Sequence, residues 1–199
     1  MRVALFGGSF DPPHHGHIAI AMAAADVFDL HRVLFAPVGR QPLKQERIPA
    51  SFDDRLAMVE LACRADPRFT VSNLDAPRSD GAPNYTVETL ATLQEAIPEA
   101  RLFNLVGADS FLDLPRWHEP ERLFEVAEWI VVSRPGFPLP DLSALGLTSS
   151  QRGRVHLLHT VHEDVAATNL RERLEAGDPC ADVLDPAVSA YIQDHHLYR

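Results

Sequence analysis

Cysteine is scarce in this 199-residue chain: Cys63 and Cys180 are the only two, and they form no C-x-x-C pair. Both fall in helical or turn contexts, which excludes a disulfide framework and leaves two small packing residues. Long apolar runs are missing as well. No stretch reaches 18 apolar residues, and the N-terminus carries a short apolar strand rather than a signal-peptide core, which predicts a cytoplasmic chain with no membrane partner. Basic residues are in deficit, 18 Lys and Arg against 28 Asp and Glu, for a net charge of −10. That balance argues against a nucleic-acid partner held by phosphate neutralisation. An acidic chain that handles anions must concentrate its few cations locally, so each Lys or Arg position carries information. Repeats and low-complexity segments are absent, and the length fits one domain over residues 1–199 with a core of its own.

What is present begins with Gly7-Gly8-Ser9-Phe10-Asp11-Pro12-Pro13-His14-His15-Gly16-His17, between the apolar run Val3–Phe6 and an Ala-rich segment from Ile18 to Phe28. The pattern predicts strand, tight turn, helix. Gly7 and Gly8 let a ligand approach the backbone, and the two prolines carry the turn. The helix is expected to open near His15 or Gly16, where amide N–H groups and the positive end of the helix dipole favour an anion. His14 and His17, three apart, can face that anion together. The segment is built for a phosphate. It is not the dinucleotide fingerprint, since no G-x-G-x-x-G occurs here. Three histidines could also ligate a metal, but no cysteine or second ligand cluster lies nearby, so no resident metal is expected.

Four continuous apolar runs, Val3–Phe6, Val33–Ala36, Leu102–Val106 and Trp129–Val132, suit parallel strands buried on both faces. Weaker strands are expected at Phe69–Val71 and Val155–Leu158. Helical patterns lie between, with Phe52, Leu56, Val59 and Cys63 on one face and Val87, Leu90, Gln94 and Ile97 on another. Strands alternating with helices imply an α/β, doubly wound, mostly parallel sheet. Two stretches read as functional loops: Pro37 to Ser51, with Arg40, Lys44 and Arg47, and the Pro- and Gly-rich Arg134 to Ser150. Ligands of such sheets bind beyond the carboxyl ends of the strands, where Gly7-Gly8, Gly107-Ala108-Asp109, Ser133-Arg134 and the Pro37 loop all stand.

Further candidates follow. Asn84 is placed to cap a helix, which would leave the amides of Tyr85 and Thr86 for a small carboxylate. Trp117 offers either packing or a flat face for a ring. Asp109 could accept from a ribose or cap the next helix. Thr168 is expected as the N-cap of a helix closed by Gly177 and Pro179. Arg171 in its first turn opposes the dipole, a local conflict that favours a phosphate site.

Together these pieces resemble the nicotinate-nucleotide adenylyltransferase family of the H-x-G-H nucleotidyltransferases, over Val3 to Arg199. The matching residues are GGSFDPPHHGH, the basic loop ending at Lys44, NYTVETL (84–90), VGAD (106–109), Pro115–Trp117, SRPG (133–136), ATNLR (167–171) and the closing LYR. The resemblance implies a Rossmann-like sheet of nucleotidyltransferase type and transfer of AMP from ATP to nicotinate mononucleotide, with pyrophosphate leaving. It assigns ATP to Gly7, Gly8, Ser9, Phe10, His14, Gly16, His17, Lys44, Ser133, Thr168 and Arg171. His14, His17, Lys44 and Arg171 would act on the phosphates. Tyr85, Thr86, Asp109, Trp117 and Arg134 would hold the mononucleotide. Mg²⁺ would come with ATP, and a homo-oligomer is left open. Three positions depart from the family: Ala166 where serine is frequent, Leu43 where histidine is frequent, and His196 where glycine is usual. The rival readings are another adenylyl- or cytidylyltransferase, such as one acting on phosphopantetheine, and a non-catalytic nucleotide-binding protein that keeps the fold.

Overall fold

A computed structural model describes residues 1–43, 49–133, 145–159 and 167–199. Six strands form one sheet: β1 (Arg2–Gly8), β2 (Arg32–Pro37), β3 (Phe69–Val71), β4 (Arg101–Gly107), β5 (Glu128–Ser133) and β6 (Val155–His159). Their order is β3-β2-β1-β4-β5-β6, and every neighbouring pair is parallel. The chain builds outward from β1 to β3, returns to lay β4 beside β1, and then builds the other way. The strand order therefore reverses between β1 and β4, and their carboxyl ends open a crevice there.

The continuous apolar runs are explained by cover on both faces. Val3 and Leu5 of β1 turn to a core shared with helices α3 (Thr86–Ala96), α4 (Ala108–Leu112) and α5 (Pro120–Val126). Ala4 and Phe6 turn to the opposite core with α1 (His15–Val27) and α2 (Phe52–Ala62). Ala21, Ala24 and Ala25 are the buried residues of α1, so small side chains bring this helix close to the sheet. Trp129 on β5 is wholly buried, with the rings of Phe111, Phe124 and Trp117 at 5.1, 5.6 and 5.7 Å. The short α6 (Ser149–Arg152) precedes β6, and α7 (Ala167–Glu175) and α8 (Pro186–Asp194) follow it. A third apolar cluster joins Met58 and Ala62 of α2 to Leu170, Cys180, Leu184, Val188, Ile192 and Tyr198.

The α2 face differs from the pattern read in the sequence. Its buried residues are Arg55, Met58, Val59 and Ala62, whereas Phe52 and Leu56 are only half-buried. The helix is covered twice, by the sheet through Val59 and by the C-terminal cluster through Met58 and Ala62, so its buried stripe is wider and rotated. Cys63 and Cys180 are buried free thiols, and burial pushes Cys63 up to about 12. His196 has φ of 54°, in the left-handed region where a side chain is strained.

At the far end of the sheet, Arg101 donates Nε and Nη2 to the two oxygens of Glu128 at 2.6 and 2.8 Å, and His156 Nε2 lies 2.6 Å from Glu128 Oε2. Burial pushes the Glu128 carboxyl up, but the bonds from Arg101 and His156 outweigh it and hold the group below the usual glutamate range. A depressed folded value means the contribution is full above the unfolded pKa and is lost as pH falls through the folded one. Glu128→Gln is expected to cost about 1 kcal/mol at neutral pH. Urea melts across pH should show the gap closing under acid conditions.

Candidate active site

The Gly7–His17 segment leaves β1, turns over its carboxyl end and enters α1 at His15, as the motif requires. A Cβ on Gly7 would meet nothing within 4 Å, so this backbone faces open space, while one on Gly8 would touch the Phe10 ring at 3.1 Å. Phe10 is buried against Phe6 and His17, which leaves its backbone, not its ring, for a ligand. His14 caps α1, and its ring lies 3.8 Å from that of His17, centroid to centroid. A Cβ on Gly16 would stand 3.0 Å from His14 Nδ1, so the glycine makes room for the His14 ring over the helix start. The His14 N–H donates to His17 Nδ1 at 3.2 Å. In a neutral His17 this leaves Nε2 carrying the proton, as a donor.

The helix mouth is less open than its sequence implies. The His15 N–H donates to the Val183 carbonyl at 2.8 Å and the His17 N–H to the His14 carbonyl at 2.9 Å. Of the first three helical amides, that of Gly16 has no acceptor among the described residues. Two imidazoles and this amide therefore stand together at the start of α1.

The turn is gripped from behind. Arg55 of α2, 2 % exposed, donates Nη1 to the Ser9 carbonyl at 2.6 Å and Nη2 to the Val38 carbonyl at 2.9 Å. Burial pushes this guanidinium below its ordinary value, and the nearby Asp11 carboxyl opposes that shift. Asp11 is itself buried, which raises its pKa, while the Tyr198 hydroxyl, Arg171 and Arg55 pull it back. Sequence reading missed Arg55. Its signal is the i, i+3, i+4, i+7 spacing with Met58, Val59 and Ala62, which puts a cation on a buried face.

On the other side of Gly7-Gly8 a cavity of about 470 Å³ opens between β1, β4 and the start of α3, within the range of small-ligand sites. Tyr85, Thr86 and Trp117 line it, as do Leu43, Asp75, Asn104 and His118. Tyr85, not Asn84, is the N-cap of α3, and no side chain caps this helix. Asn84 instead ties two loops together, accepting from the Arg40 N–H and donating to the Ala76 carbonyl, both at 2.9 Å. Among the described residues nothing accepts from the amides of Tyr85 and Thr86. Trp117 stands edge-on to Trp129, and His118 stacks on Tyr85 at 4.2 Å. Asn104, a buried polar residue within the apolar run of β4, is a further wall residue, and a lone Asn in such a run is its signal. Asp75 is bonded by Thr89 Oγ1, and burial raises its pKa against that bond.

Other expected residues stand elsewhere. Asp109 lies inside the first turn of α4, whose N-cap is Gly107; its neighbour Ser110, not Asp109, lines the cavity. Ser133 ends β5, with His159 Nδ1 at 3.4 Å. Thr168 is the second residue of α7 rather than its cap, and Arg171 Nη2 reaches its Oγ1 at 3.4 Å. The other arm of Arg171 donates to the Asp11 carbonyl at 3.0 Å, so this cation reaches the turn across 160 residues of sequence. Lys44, Arg134 and Ala166 lie outside the described residues. Among the described residues no group of three His, Cys, Asp or Glu side chains could hold a metal ion.

The chain is similar to known proteins along its length. A cytidylyltransferase-like family model matches residues 5–173. A relative from Leifsonia xyli, carrying the name "probable nicotinate-nucleotide adenylyltransferase", is 40 % identical over 198 residues, spanning 100 % of this chain and 94 % of its own length. One of the same name from Thermus thermophilus is 40 % identical with both chains fully covered. Among solved structures, the nicotinic acid mononucleotide adenylyltransferase of Plasmodium falciparum complexed with NaAD superposes with a TM-score of 0.78 at 19 % identity, covering 99 % of this chain and 97 % of that one. At that identity the likeness is one of fold.

The grip on the turn is measurable. Arg55→Leu strands the Ser9 and Val38 carbonyls and leaves Asp11 without its neighbouring cation. A loss of about 3 kcal/mol is expected in a denaturant melt, well above an ordinary surface substitution.

Proposed function

We propose that this chain, which belongs to the cytidylyltransferase-like family and to the nicotinate-nucleotide adenylyltransferases within it, holds its two substrates on either side of the Gly7-Gly8 turn. The activity is transfer of AMP from ATP to nicotinate mononucleotide, giving deamido-NAD and pyrophosphate. The observation that carries the site assignment is the pairing of His14 and His17 at the mouth of α1, with the cavity directly across the two glycines.

The nucleophile is a phosphate monoester, whose second pKa near 6 makes it largely dianionic at neutral pH, so it needs no general base. The protein's task is to align two anions and to meet the charge that develops at the α-phosphorus. His17 Nε2–H, His14 and the Gly16 amide supply donors there. Arg171 lies on the side of the turn where the β- and γ-phosphates would extend, and Lys44 is assigned to the same phosphates by family resemblance. Mg²⁺ enters as part of the ATP substrate, coordinated by phosphate oxygens and water. In the cavity, the amides of Tyr85 and Thr86 offer donors to the nicotinate carboxylate, and Trp117 offers its face or edge to the pyridine ring. Consumption of ATP and two free thiols support a cytoplasmic setting.

His17→Ala should lower kcat by about a hundredfold or more with the melting temperature near wild type, read by pyrophosphate release. Unchanged turnover in a folded variant would remove His17 from the mechanism. Donors alone suit a carboxylate, whereas a carboxamide also needs an acceptor. The kcat/KM for nicotinate mononucleotide should therefore exceed that for the amide by at least about tenfold, one charge-assisted bond's worth.

A further inference from the structure

We infer that Tyr198, one residue from the C-terminus, is a positioning residue of the triphosphate site, acting through Asp11 on Arg171. The inference rests on the assignment of ATP to the histidine side of the turn. Tyr198 is buried in the cluster of Ala50, Met58, Val188 and Ile192, which a phenylalanine would fill equally well. The hydroxyl is spent elsewhere: it donates to Asp11 Oδ1 at 2.5 Å. Asp11 is 2 % exposed and stands three residues before His14, and its carbonyl is the acceptor for Arg171 Nη1 at 3.0 Å. One residue of the turn thus joins the chain's end, through its side chain, to α7, through its backbone.

The tail takes an unfavourable path to make this contact. His196 and Tyr198 both have positive φ, 54° and 57°, a conformation that non-glycine side chains hold only when the surroundings impose it. The curl turns the phenol inward beneath the turn. Without the hydroxyl, a buried carboxylate loses its side-chain donor and keeps only the Ala50 amide, and the least costly relief is for the turn to shift toward water. That shift carries the Asp11 carbonyl away from Arg171 and frees the guanidinium to swing. The cavity walls at Tyr85, Thr86 and Trp117 belong to other elements, so the mononucleotide side should not feel it.

The test is a double-mutant cycle of Tyr198→Phe and Arg171→Ala, with KM for ATP and for nicotinate mononucleotide measured separately by pyrophosphate release. Tyr198→Phe should raise the ATP KM about three- to tenfold while the mononucleotide KM stays within about twofold. In the Arg171→Ala background the same change should add less than about twofold, because the path it acts through is gone. An unchanged ATP KM, an equal rise in both KM values, or the full factor persisting without Arg171 would each overturn the inference. If Tyr198→Phe does not fold, Asp11→Asn serves. Its amide oxygen still accepts from Tyr198, so the ATP KM should move less than about threefold, and a larger loss would show that charge rather than tethering matters. Wild-type turnover is the control throughout. Its absence would count against adenylyl transfer itself, whereas active wild type with an indifferent Tyr198→Phe counts against the tether alone.

Discussion

A guanidinium buried beneath the Gly7–His17 turn is the constraint from which the rest of this molecule follows. A charge removed from water must find hydrogen-bond acceptors and a counter-charge, or it destabilises the fold severely. Arg55 meets that demand with the carbonyls of Ser9 and Val38 and the nearby carboxyl of Asp11. Those two carbonyls belong to the segments that leave β1 and β2, so one side chain sets the spacing of both strand exits. The turn carrying His14 and His17 is thereby fixed from below, on a helix that is itself packed between the sheet and the C-terminal cluster.

The sheet order supplies the rest of the geometry. Reversal between β1 and β4 opens the crevice, and Gly7-Gly8 is the thinnest partition the backbone can make between its two sides. On one side stand two imidazoles and an arginine; on the other, a cavity with aromatic walls and helix amides that have no acceptor among the described residues. The division suits a chain with a net charge of −10 that must hold two anions. Several described cations are paired with carboxylates elsewhere, as Arg101 is with Glu128 and Arg173 with Asp178 and Asp182, which leaves few for bound anions.

Some residues resisted sequence reading for identifiable reasons. Asn84 precedes a helix and has the right chemistry for a cap, yet Arg40 and Ala76 arrive from other loops to claim its side chain. The amides at His15 and His17 belong to a helix start, but the Val183 carbonyl, brought in by the C-terminal segment, takes the first. Thr168 has the chemistry of a cap, yet it lies inside the helix with Ala167 before it already helical. Asp75 and Tyr198 carried no local signal, since what distinguishes each is a partner far away along the chain: Thr89 for one, Asp11 for the other.

Local chemistry decided what could be read directly. The strand positions follow from apolar runs along the chain, and within the first 17 residues the turn follows from Gly-Gly and Pro-Pro and the paired imidazoles from the helix spacing. Those features depend on neighbours in sequence, so the order of residues determines them. Tertiary structure alone decided which amides stay unsatisfied, which helix face is buried, and which distant cation and phenol meet the turn. Each of these depends on a hydrogen-bond partner or a packing surface that only chain folding brings within 3 Å, and no periodicity in the sequence encodes that approach.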